Sequence, residues 1–248
     1  MLQNAGDELP KFPMSVAQFL GDAERYLNRG DILLSRSPTL SSWIIRKTTA
    51  SFFSHAAYLF LTPRKSEGFY STFVLESLYE GVGVANFQNY ITGKSPSEIV
   101  AVVRFKDHSF SRTFFKNVGG RLLDDVHKRY DFRRALGLAM TILFGIRLGL
   151  SRLIKRSPQM KKWRPAKFIC SGYIQFGLLD VMARQNGNLE TVVFKQGLKP
   201  TDTEELLSTT PEDIAVSDKM KWLYVILRGR VHLAHSYAEA KALISGAK

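Results

Sequence analysis

The chain has 248 residues, 45% of them hydrophobic and 23% charged, enough for one domain, or one domain with a large insertion, around a sizeable core. Its formal net charge of +13 and pI near 9.9 favour anionic partners such as phospholipid head groups, nucleic acid or acidic polymers. The single cysteine excludes an intramolecular disulfide and suits a reducing compartment.

The opening Met1–Glu8 is acidic, has no apolar core and does not read as a secretory signal. The expected location is cytoplasmic, peripheral to a membrane at most. Ser15–Asn28 reads as an amphipathic helix, with Val16, Phe19, Leu20, Ala23 and Leu27 at three- and four-residue steps. Arg29-Gly30-Asp31 makes a turn into a short buried strand at Ile32-Leu33-Leu34. A helix is expected over Leu40–Thr49 and strands over His55–Leu61 and Phe69–Ser77, the latter continuing after a tight turn into Gly81-Val82-Gly83-Val84. Ile99–Phe105 is β-branched and bounded by polar residues, so it is expected as a strand. Ser111–Val126 reads as a helix.

Ala135–Leu150 is the most apolar stretch, interrupted by Thr141, Arg147 and three glycines, and a basic run to Lys167 follows. It is too short and broken for a confident transmembrane span, which needs about 20 apolar residues. It reads as a buried core helix or a lid over a cleft, or as a surface that lies on an anionic bilayer. Phe168–Ala183 is expected as a helix, Asn186-Gly187-Asn188 as a loop, and Pro211 as a helix start capped by Thr210. Trp222–Leu227 is expected as the final strand and Tyr237–Ile244 as a C-terminal helix. Mixed strands and helices give an α+β class.

Cys170 is the residue with the most chemistry to offer. At a helix entrance, unpaired backbone N–H groups and the helix dipole favour its thiolate, which is the nucleophilic form. Ser54-His55 places an imidazole at the start of a strand, and a lone cysteine with a distant histidine is the pattern of a thiol hydrolase. Glu76 interrupts an apolar strand pattern. A carboxylate is expensive to bury unpaired, so Glu76 either orients His55 from the neighbouring strand or faces solvent. Glu80, at the turn, is a weaker substitute. His108 and His127 have no such company, and His232 with His235 lacks a cysteine or carboxylate cluster, so no metal is expected. There is no Walker-type phosphate loop and no dinucleotide fingerprint, so no cofactor is expected.

In chain order, Gly30-Asp31-Ile32-Leu33-Leu34, Ser54-His55, Leu75-Glu76 with Glu80-Gly81-Val82-Gly83-Val84, Tyr130-Asp131-Phe132, Phe168-Ile169-Cys170-Ser171 and Thr210-Pro211-Glu212-Asp213-Ile214 resemble the YiiX/YaeF-like permuted papain-fold hydrolases, relatives of the NlpC-type cell-wall peptidases. The resemblance runs from about Gly30 to Leu227. It implies a circularly permuted papain-like fold, with an antiparallel sheet packed against the nucleophile helix. It also implies Cys170 as nucleophile, His55 as base and Glu76 as the polar third member, with Tyr130 and Ser171 supporting the oxyanion or the groups around it. The domain reading is an N-terminal helical segment at 1–29, a catalytic domain at 30–230 with an apolar and basic insertion at about 133–166, and a C-terminal helix or tail at 231–248.

The functional expectation is a cysteine hydrolase that cleaves an amide or ester bond through an acyl-thioenzyme. One alternative is a lipid acyltransferase or phospholipase with the same Cys–His pair, docking through Ala135–Lys167. Another is a non-catalytic basic binding module. The expected partners are a peptide, amide or acyl-lipid substrate and an anionic membrane surface; no nucleic-acid motif accompanies the charge.

Overall fold

The computed structural model describes residues 12–78, 81–107, 109–126, 170–202, 205–206 and 208–246. The expectations for Glu80, His108, His127, Tyr130, the insertion at 133–166 and the docking surface Ala135–Lys167 fall outside those residues.

The described chain forms one eight-stranded antiparallel sheet in the order β1-β8-β7-β6-β2-β3-β4-β5. The strands are β1 (Met14–Ser15), β2 (Ile32–Arg36), β3 (His55–Leu61), β4 (Phe73–Leu78), β5 (Gly81–Asn86), β6 (Ile99–Phe105), β7 (Met220–Leu227) and β8 (Arg230–Leu233). β6 begins and ends with its apolar, β-branched run, interrupted once by Arg104, and β3 follows His55 with the apolar run Ala56–Leu61. These runs are nearly continuous because the central strands are buried on both faces. Ile32, Leu34, Ala56, Tyr58, Ala101 and Val103 turn to one apolar cluster, and Leu33, Ala57, Leu59, Val100 and Val102 to the other.

Two short helices, α1 (Val16–Gly21) and α2 (Ala23–Tyr26), cover the second face. The single helix expected over Ser15–Asn28 is therefore broken. Asp22 takes φ −117° and ψ 27°, outside the helical region, yet Val16, Phe19, Ala23 and Leu27 still reach one apolar cluster. Helix α3 (Leu40–Thr48), capped by the Thr39 hydroxyl, connects β2 to β3, and the single turn α4 (Asn89–Thr92) follows the edge strand β5.

The first face is covered by α5 (Arg112–Leu123), α6 (Cys170–Arg184), α7 (Pro211–Val216) and α8 (Tyr237–Gly246). Helix α6 packs on β3, β4 and α5. Gly177 makes the α5 approach close, since a side chain there would run into Leu122. Arg121 ties the same two helices through Asp125 at 3.1 Å and Asp180 at 3.0 Å. Helix α7 starts as expected, with Thr210 and Asp213 in a reciprocal capping box and Pro211 at its first position.

Two strand expectations change. Phe69 does not join β4; Gly68, at φ +71°, closes a small loop in which Phe69 bridges back to Arg64. Leu227 does not end the sheet, because Arg228 and Gly229, at φ +51° and +73°, turn the chain directly into β8. β8 in turn pairs with β1, so the sheet extends on both sides of the 30–230 range.

A buried ion pair pins the β2–β6 region. Asp31 is fully buried and receives the Arg104 guanidinium at 2.6 and 2.9 Å and the Asn28 N–H at 2.8 Å. Burial pushes the Asp31 carboxyl above its ordinary range, and Arg104 offsets part of that rise.

Candidate active site

Register places the polar strand residues. Ser35 of β2 lies opposite His55, and Ala57 of β3 lies opposite Glu76 of β4. His55 and Ala57 share a face, so His55 and Glu76 are diagonal neighbours within reach of each other. Across β5, Glu76 faces Gly83, which brings no side chain to compete.

Glu76 is 8% exposed, which settles its orientation: it turns inward to the imidazole. His55 Nε2 lies 3.0 Å from Glu76 Oε2 and 3.0 Å from the Tyr90 hydroxyl, and that hydroxyl donates a short hydrogen bond to Glu76 Oε2. The Tyr90 ring lies nearly parallel to the imidazole, 12° off, with centroids 5.9 Å apart. Burial, then the neighbouring Glu76 charge, push the Tyr90 phenol well above its ordinary range. It therefore stays neutral and remains a donor.

Cys170 is the first residue of α6 and is 7% exposed. Its Sγ accepts the Ala56 N–H at 3.4 Å and lies within hydrogen-bonding and Coulombic range of the imidazole. With Nε2 engaged by Glu76 and Tyr90, Nδ1 is the ring nitrogen left for the thiol. Burial alone would raise the thiol pKa. The His55 charge and hydrogen bond, with the backbone N–H groups of Ala56 and Ser171, outweigh it and bring the thiol below its ordinary range. Burial alone would likewise lower the His55 pKa, yet Cys170 first and Glu76 second carry it up to about 10. The carboxyl of Glu76 is held below its ordinary range, with His55 and Tyr90 overcoming burial. All three shifts run toward a thiolate, an imidazolium and a carboxylate in a row.

Ser171 is fully buried, and its hydroxyl donates to the Thr209 carbonyl at 2.6 Å. That side chain anchors the first turn of α6, and it is the backbone N–H that meets the sulfur. Further along, the buried Gln175 amide donates to Val192 O at 2.9 Å and accepts from Phe194 N–H at 3.0 Å, strapping the helix to the 189–194 segment. Three expected residues, Cys170, His55 and Glu76, therefore come together, whereas Tyr130 and Glu80 lie outside the described residues. Tyr90 has no counterpart among the expected residues. It sits on a four-residue helix with no periodicity to mark it, and only its place shortly after the β5 run sets it apart.

The chain is similar to the crystal structure of the metalloprotein yiiX from Escherichia coli O157:H7. The sequences are 16% identical, the TM-score is 0.48, and the match covers 81% of this chain and 98% of that one. No family model matches the chain, and no curated protein does. Among the described residues of this chain, no group of three or more His, Cys, Asp or Glu side chains gathers as metal ligands would, and no described helix is long and apolar enough to cross a membrane.

A cleft of about 380 Å³ opens on the Glu76 side of the imidazole. His55, Glu76 and Tyr90 form one wall, hydroxyls from Ser35, Ser37 and Ser97 line another, and Ile45, Leu78 and Ala85 add apolar surface. Cys170 is not part of this lining. It lies on the other side of the histidine, against the Ala56 backbone.

Proposed function

We propose that the protein is a cysteine hydrolase of the permuted papain-like, NlpC-type kind, cleaving an amide or ester through an acyl-thioenzyme. The observation that carries this reading is the contiguous Cys170–His55–Glu76 arrangement, assembled from a helix start and two neighbouring strands. An activated thiol, a base in contact with it, and a carboxylate behind that base are what nucleophilic acyl transfer requires.

In this mechanism the Cys170 thiolate attacks the substrate carbonyl carbon, and the carbonyl electron pair moves onto oxygen. The start of α6 supplies the positive dipole end and backbone N–H groups for that oxyanion. The His55 imidazolium gives its proton to the leaving amine or alkoxide as the C–N or C–O bond breaks. Neutral His55 then takes a proton from water, which attacks the thioester and releases the acid, restoring the thiolate–imidazolium pair. Glu76 holds the ring orientation and stabilises its charge throughout. Tyr130 and Ser171 are proposed to support the oxyanion region, Ser171 by fixing the first helical turn.

The test is accumulation of an adduct. Incubated with peptide and lipid extracts from cells, the protein should gain mass on Cys170, and Cys170→Ala should gain none. His55→Ala should fold, as judged by circular dichroism, but fail to turn over any substrate so identified. Turnover by either variant would refute the assignment.

A second reading uses the same residues on a lipid ester at a membrane surface, as acyltransferase or phospholipase. One observation favours it. Helix α3 lines the cleft with Ser41, Ser42 and Ile45 while turning Leu40 and Trp43 outward, 73% and 51% exposed. Flotation with anionic liposomes separates the readings, since the lipid reading needs binding that is lost on deleting 135–167.

A further inference from the structure

The two edges of the sheet differ. At one edge, β1 is two residues long, and a strand so short resists pairing with another chain. At the other, β5 runs six residues from Gly81 to Asn86 without a charge or a proline. Its register with β4 is unbroken, whereas the β3–β4 and β6–β7 registers both shift. Brevity, charge, proline and bulges are the devices that blunt an edge strand, and β5 carries none of them.

The register also fixes which way the β5 main chain points. The Phe87 N–H donates to the Thr72 carbonyl at 2.9 Å, directly opposite it in the β4–β5 register. Bonded and non-bonded pairs alternate along an antiparallel ladder. Ala85, Gly83 and Gly81 therefore bond to β4, and the N–H and C=O of Val82, Val84 and Asn86 point away from it. Val82 is buried, but Val84 is 45% exposed and Asn86 is partly exposed. Among the described residues, nothing meets the main-chain N–H or C=O of Val84 or Asn86. Beside them, a side chain at Gly83 would have open space around it, and Ala85 lines the cleft. The open stretch of edge is thus continuous with the cleft.

Outward N–H and C=O groups on alternate residues, about 7 Å apart, match the main chain of another extended polypeptide. Strand addition to a sheet edge draws its affinity from those main-chain bonds, and neither a lipid nor a nucleic acid carries the pattern. The net charge of +13 opposes self-pairing of two copies and attracts an acidic segment. We propose that the Val84–Asn86 edge of β5 is a docking site for an extended acidic peptide, which adds to the sheet as a further strand. The peptide residue opposite Val84 exchanges two main-chain hydrogen bonds with it, and its neighbours turn toward Gly83 and the cleft. Docking uses no chemistry at Cys170, so it stands or falls apart from the hydrolase reading.

The probe is the acetylated and amidated hexapeptide Glu-Val-Glu-Val-Glu-Val, titrated into the isotope-labelled full chain at low ionic strength and followed by amide NMR shifts. The Val84 and Asn86 amides should shift, in wild type and in Cys170→Ala alike. Affinity should fall about tenfold or more in Val84→Pro, which deletes the outward N–H at an edge position that tolerates proline. Val84→Thr keeps that N–H and should bind as wild type does. The same peptide methylated at every backbone nitrogen should not bind wild type, a comparison that needs no variant to fold. Replacing its glutamates by lysines should also weaken binding about tenfold or more. The proposal is overturned if the hexapeptide leaves the Val84 and Asn86 amides unmoved, if the methylated peptide binds as tightly as its parent, or if Val84→Pro binds as wild type does with an unchanged circular dichroism spectrum. It is also overturned if sedimentation shows a dimer of the free chain that Val84→Pro dissociates, because a second copy would then occupy the edge.

Discussion

Removing His55 should shift Cys170 from thiolate toward thiol, because the imidazolium is what lowers the thiol pKa most. The imidazole is carried from 6.5 to about 10 against burial, a favourable interaction of roughly 5 kcal/mol at ~1.4 kcal/mol per pH unit. Cys170 ranks ahead of Glu76 among its causes, so the thiolate–imidazolium contact leads that gain; an opposite charge in contact shifts a pKa by about 1–3 units, roughly 1–4 kcal/mol. Coupling between two sites is reciprocal. In His55→Ala the thiolate therefore loses the same support and is left with burial, opposed only by the Ala56 and Ser171 N–H groups. A loss of about two units, midway in that range, lowers the thiolate fraction at neutral pH by up to roughly 100-fold. A more basic thiolate is intrinsically more nucleophilic, with a Brønsted slope of about 0.4–0.5, which returns close to half of that loss on a logarithmic scale. Net alkylation by iodoacetamide should slow by about tenfold.

The assay is clean because Cys170 is the only cysteine; every alkylation event, and the thiolate absorbance at 240 nm, report on one sulfur. Wild type should alkylate at pH values below the ordinary thiol range, and His55→Ala only as pH rises into that range or above it. The two proteins must coincide in denaturant. Rates within twofold of each other in the folded state would refute the reasoning and with it the ion pair.

Glu76→Gln removes the charge behind the imidazole, so His55 should lose its proton at lower pH. The alkaline limb of turnover, set in wild type by loss of the imidazolium as pH rises through about 10, should shift to lower pH; an unmoved limb in the pH–rate profile would count against it. Tyr90→Phe deletes the hydroxyl shared by His55 and Glu76 and should cost about 1–2 kcal/mol in urea unfolding, while alkylation of Cys170 changes by less than about threefold because the thiol contact is made by the other ring nitrogen. Arg104→Met strands the fully buried Asp31 and should cost about 3–5 kcal/mol at neutral pH. That loss should shrink as pH falls and Asp31, its carboxyl raised by burial, takes up a proton. A loss under about 1 kcal/mol by urea titration would show the pair to be dispensable.

Much of the frame was readable because burial leaves its mark on residue type. β3 and β6 are mostly apolar runs, broken only by His55 and Arg104, and such runs belong to strands covered on both faces. The start of α7 was readable because a capping box is local chemistry, written in Thr210, Pro211 and Asp213. What escaped was conformational. Nothing in Arg228 announces a φ of +51°, so β8 looked like tail. Nothing in Asp22 announces a break, because the apolar spacing runs on across it. In the site, Cys170 and His55 were legible as residue types. The choice between an inward and an outward Glu76 was not, since alternation permits both, and it took the β3–β4 register and an 8% exposure to decide it. Tyr90 was illegible for the opposite reason: its role depends on a diagonal strand pair that only the folded sheet creates.

The hydroxyl of Ser171 holds the backbone at Thr209, one residue before the α7 cap. The bearing of the sulfur on its imidazole is thereby tied to a stretch of chain that never touches either group. A disturbance at 209–213 would leave the reacting trio intact in composition yet misaligned, and it would surface as poor turnover in a protein that still melts normally.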